Sequence, residues 1–391
     1  MQHRNDNRRS KIALLTTVAV FWALVVADTF LPLPRFLSSL KGATTPPPPP
    51  EWNLTALRSG ATVRALTSWV DAHIGLRSFW IRLDNQIDYS FFHQTPQRGD
   101  GTRLVLGSGN WLYERQYVEY ATNKSILSPE ECARRTERMR RVEAKLARRG
   151  IPLLYVIAPS KASVYPEHIP AEFYREKKPD QIVTSWELGR NYLPDSGVSY
   201  IDGPALYAKW KKDGVPDLFA RSGTHWSYVS ALKIWDEIRA SLNPRLARPI
   251  PPLKTAPLIT GHPEGNDRDL LDLANLLVSR PYEHDLPKPR MILQKDVPAD
   301  QLPRILWIHD SFGWVLIEEL YESNSARPSN SLYYFATEMK IPGGVATDRK
   351  IKDIDWPTYL RDYDAIVLVW TEIAFEFDSC GFFEALDKAL D

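Results

Sequence analysis

The chain has 391 residues, 43% of them hydrophobic, and a formal net charge of +1 from 49 basic and 48 acidic residues. This composition is sufficient for a real core, and the length fits one large domain or two smaller ones. The near-neutral charge gives no electrostatic reason to expect a nucleic-acid-binding protein. The two cysteines lack the number and spacing of a zinc site. In an oxidising compartment Cys132 and Cys380 would either form one bridge or remain separate buried thiols.

The N-terminal residues predict that the bulk of the protein is exported. Basic residues within positions 1–11 precede an uncharged run at positions 12–27. Because basic residues before an apolar segment stay in the cytoplasm, residues 1–11 are interpreted as a cytoplasmic tail and residues 12–33 as a single-pass signal-anchor in the inner membrane. The remaining chain would then lie in the periplasm. The alternative is a cleaved signal peptide, because Val25, Val26 and Ala27 satisfy the small-residue rule for cleavage.

Composition divides the exported part into a linker, a helical lead-in and a larger domain. Five prolines at positions 46–50 predict a stiff polyproline II spacer within a linker at 34–52. Apolar residues at helical spacing in positions 53–93 predict one or two amphipathic helices within a lead-in at 53–100. In residues 101–391 predicted strands alternate with helices, which is typical of a three-layer α/β domain with a largely parallel sheet.

The predicted elements of this domain follow from local signals. Ser128, Pro129 and Glu131 form a strong helix start, with a capping serine, an N-terminal proline and a glutamate three residues on. The expected elements are strands at 103–107 and 111–113, a helix from 129 to 149, a buried strand at 153–158, a helix at 180–194, a strand at 198–201, helices at 204–212 and 227–242, an irregular stretch at 243–263, a strand ending at 310, a helix after 313, and strands at 331–335 and 365–369. The strands ending near positions 158, 310 and 370 would bring their loops to the sheet edge where α/β proteins bind ligands.

A serine and a histidine stand out as candidates for acyl transfer. Ser311 follows an apolar strand and precedes a helix, so backbone N–H groups after it would be available to hold an oxyanion. His225 lies in a turn before another helix and would act as the base that takes the serine proton. The commoner role of a serine at this position is a helix cap. His309 is a distant second choice for the base, since alternation along the strand points it away from Asp310.

The acid that would orient the histidine is not singled out by spacing. Asp310 adjoins the serine and is included among the candidate catalytic residues, and further carboxylates are available at Asp202, Asp217, Asp267 and Asp269.

Three further side chains are candidate substrate-binding residues. Lys161 follows the first buried strand and would bind an anionic sugar or help to hold an oxyanion, although its default role is a solvated loop charge. Trp226 would wall the pocket or stack on a sugar ring, or else pack under the following helix. Tyr165, before a proline, is a weaker candidate with packing of the loop as its alternative role.

Four short segments occur in a recognisable order: GSGNWLY at 107–113, APSKASVYP at 158–166, GTHWS at 223–227 and HDSFG at 309–313. Together with SWVDAHIGLR at 68–77, they resemble the SGNH-hydrolase-like domain of the alginate O-acetyltransferases and related exopolysaccharide acetylation proteins. The resemblance covers roughly residues 60–380. The histidine precedes the serine, which is similar to the permuted arrangement of this family and differs from ordinary SGNH hydrolases.

The resemblance implies a function. It implies a periplasmic O-acetyltransferase that modifies hydroxyls of an exopolysaccharide or cell-envelope glycan, with Ser311 as the acetylated nucleophile and His225 as the general base. It implies a membrane-bound O-acyltransferase as the partner that supplies acetyl groups, and neither a metal nor an organic cofactor. Gly223 stands where the family carries the aspartate of Asp-x-His, so a dyad, a borrowed acid and a loss of catalysis stay open. A carbohydrate acetyl-esterase and a non-catalytic assembly or glycan-binding subunit are the alternatives.

Overall fold

The computed structural model describes residues 2–30, 40–42, 46–96, 103–123, 126–174 and 182–390. They form two compact units, Met1–Pro96 with Leu271–Ser279, and Gln97–Leu270 with Arg280–Asp391. The first unit contains helices α1 (Gln2–Phe30), α2 (Leu54–Arg58), α3 (Ala61–His73) and α4 (Arg77–Phe91). Residues 53–93, where one or two helices were expected, thus contain three.

The predicted signal-anchor coincides with most of α1, while its last residues, 31–33, lie outside the described residues. Within the described part of the chain, no helix combines the length and the apolar character needed to cross a membrane. The end of α1 is held inside the first unit by polar contacts. Thr29 Oγ1 accepts a hydrogen bond from the Gly75 N–H at 2.8 Å, and Asp28 Oδ2 accepts one from the Leu76 N–H at 2.6 Å.

The strands of the second unit are short to medium in length. They are β1 (Leu104–Leu106), β2 (Leu112–Glu114), β3 (Leu153–Ala158), β4 (Tyr200–Asp202), β5 (Ile259–Gly261), β6 (Leu286–Lys288), β7 (Ile305–His309), β8 (Ser329–Tyr333), β9 (Thr337–Ile341), β10 (Val345–Lys350) and β11 (Ala365–Thr371). The helices that follow α4 along the chain are α5 (Arg115–Thr122), α6 (Pro129–Ala147), α7 (Lys161–Val164), α8 (Ser185–Gly189), α9 (Gly203–Lys212), α10 (Tyr228–Leu242), α11 (Asp269–Leu273), α12 (Gly313–Glu322), α13 (Trp356–Tyr359) and α14 (Phe382–Ala389).

Seven of these strands form one mixed sheet in the order β10-β9-β8-β7-β11-β3-β4. The five strands from β8 to β4 run parallel, and β9 and β10 extend the β8 edge in antiparallel fashion. The predicted α/β domain with a largely parallel sheet is confirmed. The β9–β10 hairpin was not predicted, because its strands are rich in charged residues and lack a buried face with a clear period of two.

Helices cover both faces of the central strands. On one face α5, α10 and α12 pack on side chains that include Leu154, Trp307 and Val367. On the other face α6, α8 and α14 cover side chains that include Tyr155 and Ile308. Strands that are buried on both faces consist of nearly continuous apolar residues, and this is why β3, β7 and β11 could be predicted from the sequence.

Local signals also placed the helices that flank the sheet. The Ser128 side chain accepts a hydrogen bond from the Glu131 N–H at 3.2 Å, and Pro129 occupies the first position of α6, as the capping pattern predicted. The helix expected at 180–194 is shorter. Its first residues lie outside the described range, and α8 passes into a 3₁₀ turn at Arg190–Tyr192.

The strand register sets the position of the loops that follow the central strands. His309 at the end of β7 lies opposite Val369 of β11, and Ala158 at the end of β3 lies opposite Thr371. The segments after these strands therefore leave the sheet at one carboxyl edge, as predicted, and any site built there can draw on all three.

The two cysteines are free thiols, buried for Cys132 and exposed for Cys380. We therefore predict that the chain, purified and unfolded without a reducing agent, gives two reactive thiols in a thiol titration. In the folded protein Cys380 should react first because it is accessible. Cys132→Ser and Cys380→Ser should each remove one thiol. An unfolded, unreduced chain with no reactive thiol would contradict the structure.

Candidate active site

Ser311 occupies a turn between β7 and α12, and the neighbouring Asp310 fixes this turn. The Asp310 carboxylate accepts hydrogen bonds from the Phe312 N–H at 2.9 Å, the Thr371 N–H at 2.7 Å and the Thr371 hydroxyl at 2.8 Å. It thus ties the turn to the end of the adjacent strand β11. Ser311 itself is half-buried. A serine held in this way is displayed at the carboxyl edge of the sheet.

The residue after the serine brings the histidine segment to the same edge. Phe312 is fully buried, and its ring centroid lies 4.8 Å from that of His225 and 5.7 Å from that of Trp226. Tyr117 of α5 packs edge-on against the same ring at 6.1 Å. The serine and histidine motifs, far apart in the sequence, therefore meet through an aromatic contact.

The loop that carries His225 is fixed on both sides of the residue. Phe219 and Trp226 form an isolated antiparallel bridge, and the Ser227 N–H donates to the Leu218 carbonyl at 3.0 Å. His225 is only 7% exposed. Its Nε2 atom is buried without a hydrogen-bond partner among the residues that the structure describes. This ring nitrogen is therefore available to a proton donor that enters the site.

The other ring nitrogen of His225 contacts a carboxylate. Nδ1 lies 2.8 Å from Oδ2 of Asp269, at the start of α11. The ring N–H direction is not well aligned with the oxygen, so this is a close contact and not an ideal hydrogen bond. The second oxygen, Oδ1, accepts a hydrogen bond from the Thr224 N–H at 2.7 Å. Asp269 thus contacts two consecutive residues of the histidine segment.

No hydrogen bond joins Ser311 to His225 in the described part of the chain. In enzymes without a bound substrate, catalytic hydrogen bonds are often long or poorly aligned and tighten only in the reacting complex. The structure therefore brings the serine turn and the histidine into one site and leaves Nε2 unpartnered.

Tyr334, for which no role was predicted, lies beside the strand end that leads into the serine turn. It follows β8 in a turn with a positive φ of 50°, and its backbone N–H donates to the His309 carbonyl at 2.8 Å. Burial raises the pKa of Tyr334 to about 12, so the phenol is a proton-bearing donor at neutral pH. No local pattern marks this residue, because its role depends on the pairing of β8 with β7.

The prediction that backbone N–H groups after Ser311 are available to bind an oxyanion is wrong. The N–H groups of Phe312, Gly313 and Trp314 donate within the turn, to Asp310 Oδ1, the Asp310 carbonyl and the Ser311 carbonyl respectively. They are therefore not free to bind a developing negative charge.

Two candidates close to the serine have structural roles. The Asp310 carboxylate is occupied by Phe312 and Thr371, so it does not orient His225 as a catalytic acid would. His309 is fully buried against Trp314, with ring centroids 4.8 Å apart, and its Nδ1 lies 2.7 Å from the Asp310 carbonyl oxygen. Burial lowers the pKa of His309 to about 4, which fits a neutral packing residue.

The candidate substrate-binding role of Lys161 is not supported. Its Nζ atom is buried and donates to the carbonyl oxygens of Ala220 at 3.0 Å, Arg221 at 3.1 Å and Gly223. The ammonium group also lies 5.4 Å from the ring centroid of Tyr113. These contacts hold the backbone that leads into His225. Lys161 is therefore a support for the loop and is not directed at a ligand.

The two aromatic candidates are also packing residues. Trp226 is fully buried in the core beside Tyr207 and Phe312, so it cannot stack on a sugar. Tyr165 packs on Trp111 at a centroid distance of 4.4 Å, and its backbone carbonyl accepts a hydrogen bond from the Tyr113 hydroxyl at 2.7 Å. No group of three or more histidine, cysteine or acidic side chains in the described ranges could hold a metal ion.

A stability measurement can check the buried position of Lys161. Burial lowers the pKa of Lys161 to about 7, whereas an unfolded chain keeps the ordinary higher value. The unfolded state therefore binds more protons above pH 7, and the free energy of unfolding rises with pH. We predict that wild type gains about 2 kcal/mol from this residue between pH 7 and pH 9.

Lys161→Met should lack this contribution. The variant should also be less stable than wild type at pH 9 by about 2 kcal/mol, because the carbonyls at 220, 221 and 223 lose their donor. Urea unfolding at both pH values measures the difference. A parallel pH response in wild type and variant would contradict the buried position of Lys161.

Comparison with known proteins gives the family. The profile of the SGNH hydrolase-like domain of the acetyltransferase AlgX matches residues 104–302, which is about half of the chain. The chain belongs to this family. The match includes His225 and Asp269 and ends shortly before Ser311.

The curated relatives are alginate acetylation proteins. The probable alginate O-acetylase AlgJ of Pseudomonas aeruginosa is 25% identical over 247 residues, which are 63% of this chain and 58% of that protein. The AlgJ proteins of Azotobacter vinelandii and Pseudomonas fluorescens are 24% and 25% identical over 49% and 43% of this chain, and over 45% and 39% of their own lengths. The chain thus spans about half the length of the curated relatives that it matches.

Two solved structures are similar to this chain at low identity. The O-acetyltransferase domain of Pseudomonas putida AlgJ has a TM-score of 0.45 at 16% identity and covers 73% of this chain and 99% of its own. AlgX of Pseudomonas aeruginosa has a TM-score of 0.45 at 12% identity and covers 72% of this chain and 67% of its own.

Proposed function

We propose that this protein is an O-acetyltransferase that moves acetyl groups onto hydroxyls of an exopolysaccharide or cell-envelope glycan through an acetylated Ser311. Membership of the AlgX family supports the reaction class. The observation that supports the proposal is the packing of Phe312, the residue after the half-buried Ser311, on His225, whose Nε2 atom has no hydrogen-bond partner among the described residues.

The chemistry requires two acyl transfers. In the first, Ser311 Oγ attacks the acetyl carbonyl carbon while His225 Nε2 takes the hydroxyl proton, and that proton then passes to the leaving oxygen of the donor. In the second, a glycan hydroxyl gives its proton to Nε2 and attacks the acetyl-serine ester. The Ser311 hydroxyl is restored when the proton returns to Oγ. We assign the Tyr334 hydroxyl, which keeps its proton at neutral pH, as the donor to the tetrahedral oxyanion of either step.

The cellular setting is part of the same proposal. The basic and then apolar N-terminus of the chain supports an anchored protein that works on the periplasmic side of the inner membrane. A membrane-bound O-acyltransferase would supply the acetyl groups, as the resemblance to the alginate acetylation proteins suggests. Among the curated relatives, AlgJ is described as a probable alginate O-acetylase, which makes a polysaccharide the natural class of acceptor to test first.

Replacement of the nucleophile tests the reaction. The experiment supplies a small activated acetyl ester as donor and a panel of neutral and acidic oligosaccharides as acceptors, with acetylated products measured by mass spectrometry. Ser311→Ala should lower acetyl transfer at least about 10³-fold, because the covalent intermediate cannot form. Its thermal unfolding should match wild type.

A matched serine provides the control. Ser196 lies just before β4, at the amino edge of the sheet and thus opposite to Ser311, where its hydroxyl donates to the Leu193 carbonyl at 2.6 Å. Ser196→Ala should retain transfer. Unchanged transfer in Ser311→Ala would reject the mechanism. Release of acetate by wild type without acetylation of any acceptor would instead favour the carbohydrate esterase.

A further inference from the structure

We infer that Asp269 replaces the missing aspartate of the Asp-x-His motif and is the residue that orients His225. The inference rests on the proposed function for its catalytic meaning. The histidine segment itself cannot supply this acid, because Gly223 stands two residues before His225.

Steric crowding explains why position 223 is glycine. A Cβ atom at Gly223 would lie 2.3 Å from the Asn266 carbonyl oxygen and less than 3 Å from two backbone atoms of Asp267. Backbone atoms cannot move aside as the end of a flexible side chain can. The segment at 266–267 therefore occupies the space that an aspartate at position 223 would need, and the same segment leads directly into Asp269.

The contacts of the Asp269 carboxylate explain how it orients His225. Its Oδ1 atom accepts the Thr224 N–H at 2.7 Å, which fixes the carboxylate against the histidine segment, and its Oδ2 atom lies 2.8 Å from His225 Nδ1. A carboxylate at Nδ1 keeps that nitrogen protonated and leaves Nε2 as the lone-pair acceptor that faces the nucleophile. It also stabilises the imidazolium that forms when His225 takes the serine proton.

Other carboxylates near the histidine are less suited to this role. Asp267 is 2% exposed, and burial raises its pKa to about 7, so its carboxyl group is protonated in a large share of molecules at neutral pH. Glu114 is bound to Gln116 at 3.0 Å and approaches the Thr224 hydroxyl at 3.5 Å. Asp269 is the carboxylate whose oxygen contacts the His225 ring.

The test uses the labelling of Ser311 by phenylmethanesulfonyl fluoride, which needs no acetyl donor or glycan. Ser311 Oγ attacks sulfur, fluoride leaves, and His225 takes the hydroxyl proton, so the labelling rate reports the activated serine. Intact-protein mass and peptide mapping identify the adduct, and the rate is measured from pH 5 to pH 9. The variants are Asp269→Asn, which keeps the Oδ1 acceptor for the Thr224 N–H, and Asp267→Asn as the matched control from the same segment.

Asp269→Asn should label about 10²–10⁴-fold more slowly than wild type, in line with loss of the orienting acid in Ser-His-Asp enzymes. The acid limb of its pH profile should move to lower pH, because a nearby carboxylate favours the protonated imidazole and its removal does the opposite. A merely structural effect would lower the labelled fraction without moving the profile. Asp267→Asn should stay within about threefold of wild type, since the carboxylate in contact with the His225 ring is that of Asp269.

A second pair of variants checks the steric argument. Gly223→Asp should lower the thermal stability of the protein, and Gly223→Asp combined with Asp269→Asn should not restore labelling, because the clash involves backbone and not the Asp269 side chain. Restored labelling in the double variant would overturn the steric explanation of Gly223 but would support Asp269 as the orienting acid.

The remaining outcomes are also decisive. Equal rates in wild type and Asp269→Asn would overturn the inference but leave the proposed function intact, as would an equal loss in Asp267→Asn. A wild-type protein that is not labelled at Ser311 would instead count against the proposed function itself.

Discussion

The site depends on the burial of one aromatic ring. Phe312 follows the candidate nucleophile directly and is fully enclosed between α5, the start of α12 and the histidine segment. A buried phenylalanine contributes several kcal/mol through its packing, far more than a single hydrogen bond at the sheet edge. The serine turn therefore cannot change its position without opening the core. Because His225 packs on the same ring, the serine turn and the histidine share one buried support.

Polar groups around this ring add hydrogen bonds that fix the backbone of the serine turn and of the histidine segment. Asp310 ties the turn to β11 through Thr371, and Lys161 holds the backbone before His225 through three carbonyl oxygens. Both charged groups are buried, and both are bonded to neighbouring backbone. Their residue types suggested chemistry with a ligand, but their hydrogen-bonding capacity is used inside the fold. A charged residue beside a catalytic motif is thus compatible with a purely positional role.

Much of the fold could be predicted from the sequence because its signals are local. The apolar runs of β3, β7 and β11, the cap of α6 and the turn residues around Ser311 each lie within a few consecutive positions. The pairing of the serine with the histidine came from the resemblance to a family, and aromatic packing now gives it a physical basis. By contrast, the β9–β10 hairpin has mixed polar strands whose pairing is decided by β8 and not by their own pattern.

The rest of the site could not be predicted because it is assembled from segments without a periodic pattern. Tyr334 binds the end of β7 from a turn after β8, and Asp269 reaches His225 from a short helix after an irregular stretch. Sequence spacing placed Asp269 among several equivalent carboxylates. The contact of its carboxylate with His225 and the close approach of the 266–267 backbone to Gly223 distinguish it.

Because the 266–267 backbone fills the space beside Gly223, the acid that orients His225 must come from a distant segment. An acid two residues before a histidine lies in the same loop, so both side chains are positioned when that loop folds. An acid 44 positions further along the chain is held by tertiary packing, so the orientation of His225 depends on the folding of a second segment. The Thr224 N–H bond to Asp269 compensates for this separation, because it binds the distant carboxylate to the residue next to the histidine. The loss of a local acid is thereby compatible with a site in which serine, histidine and carboxylate still occur together.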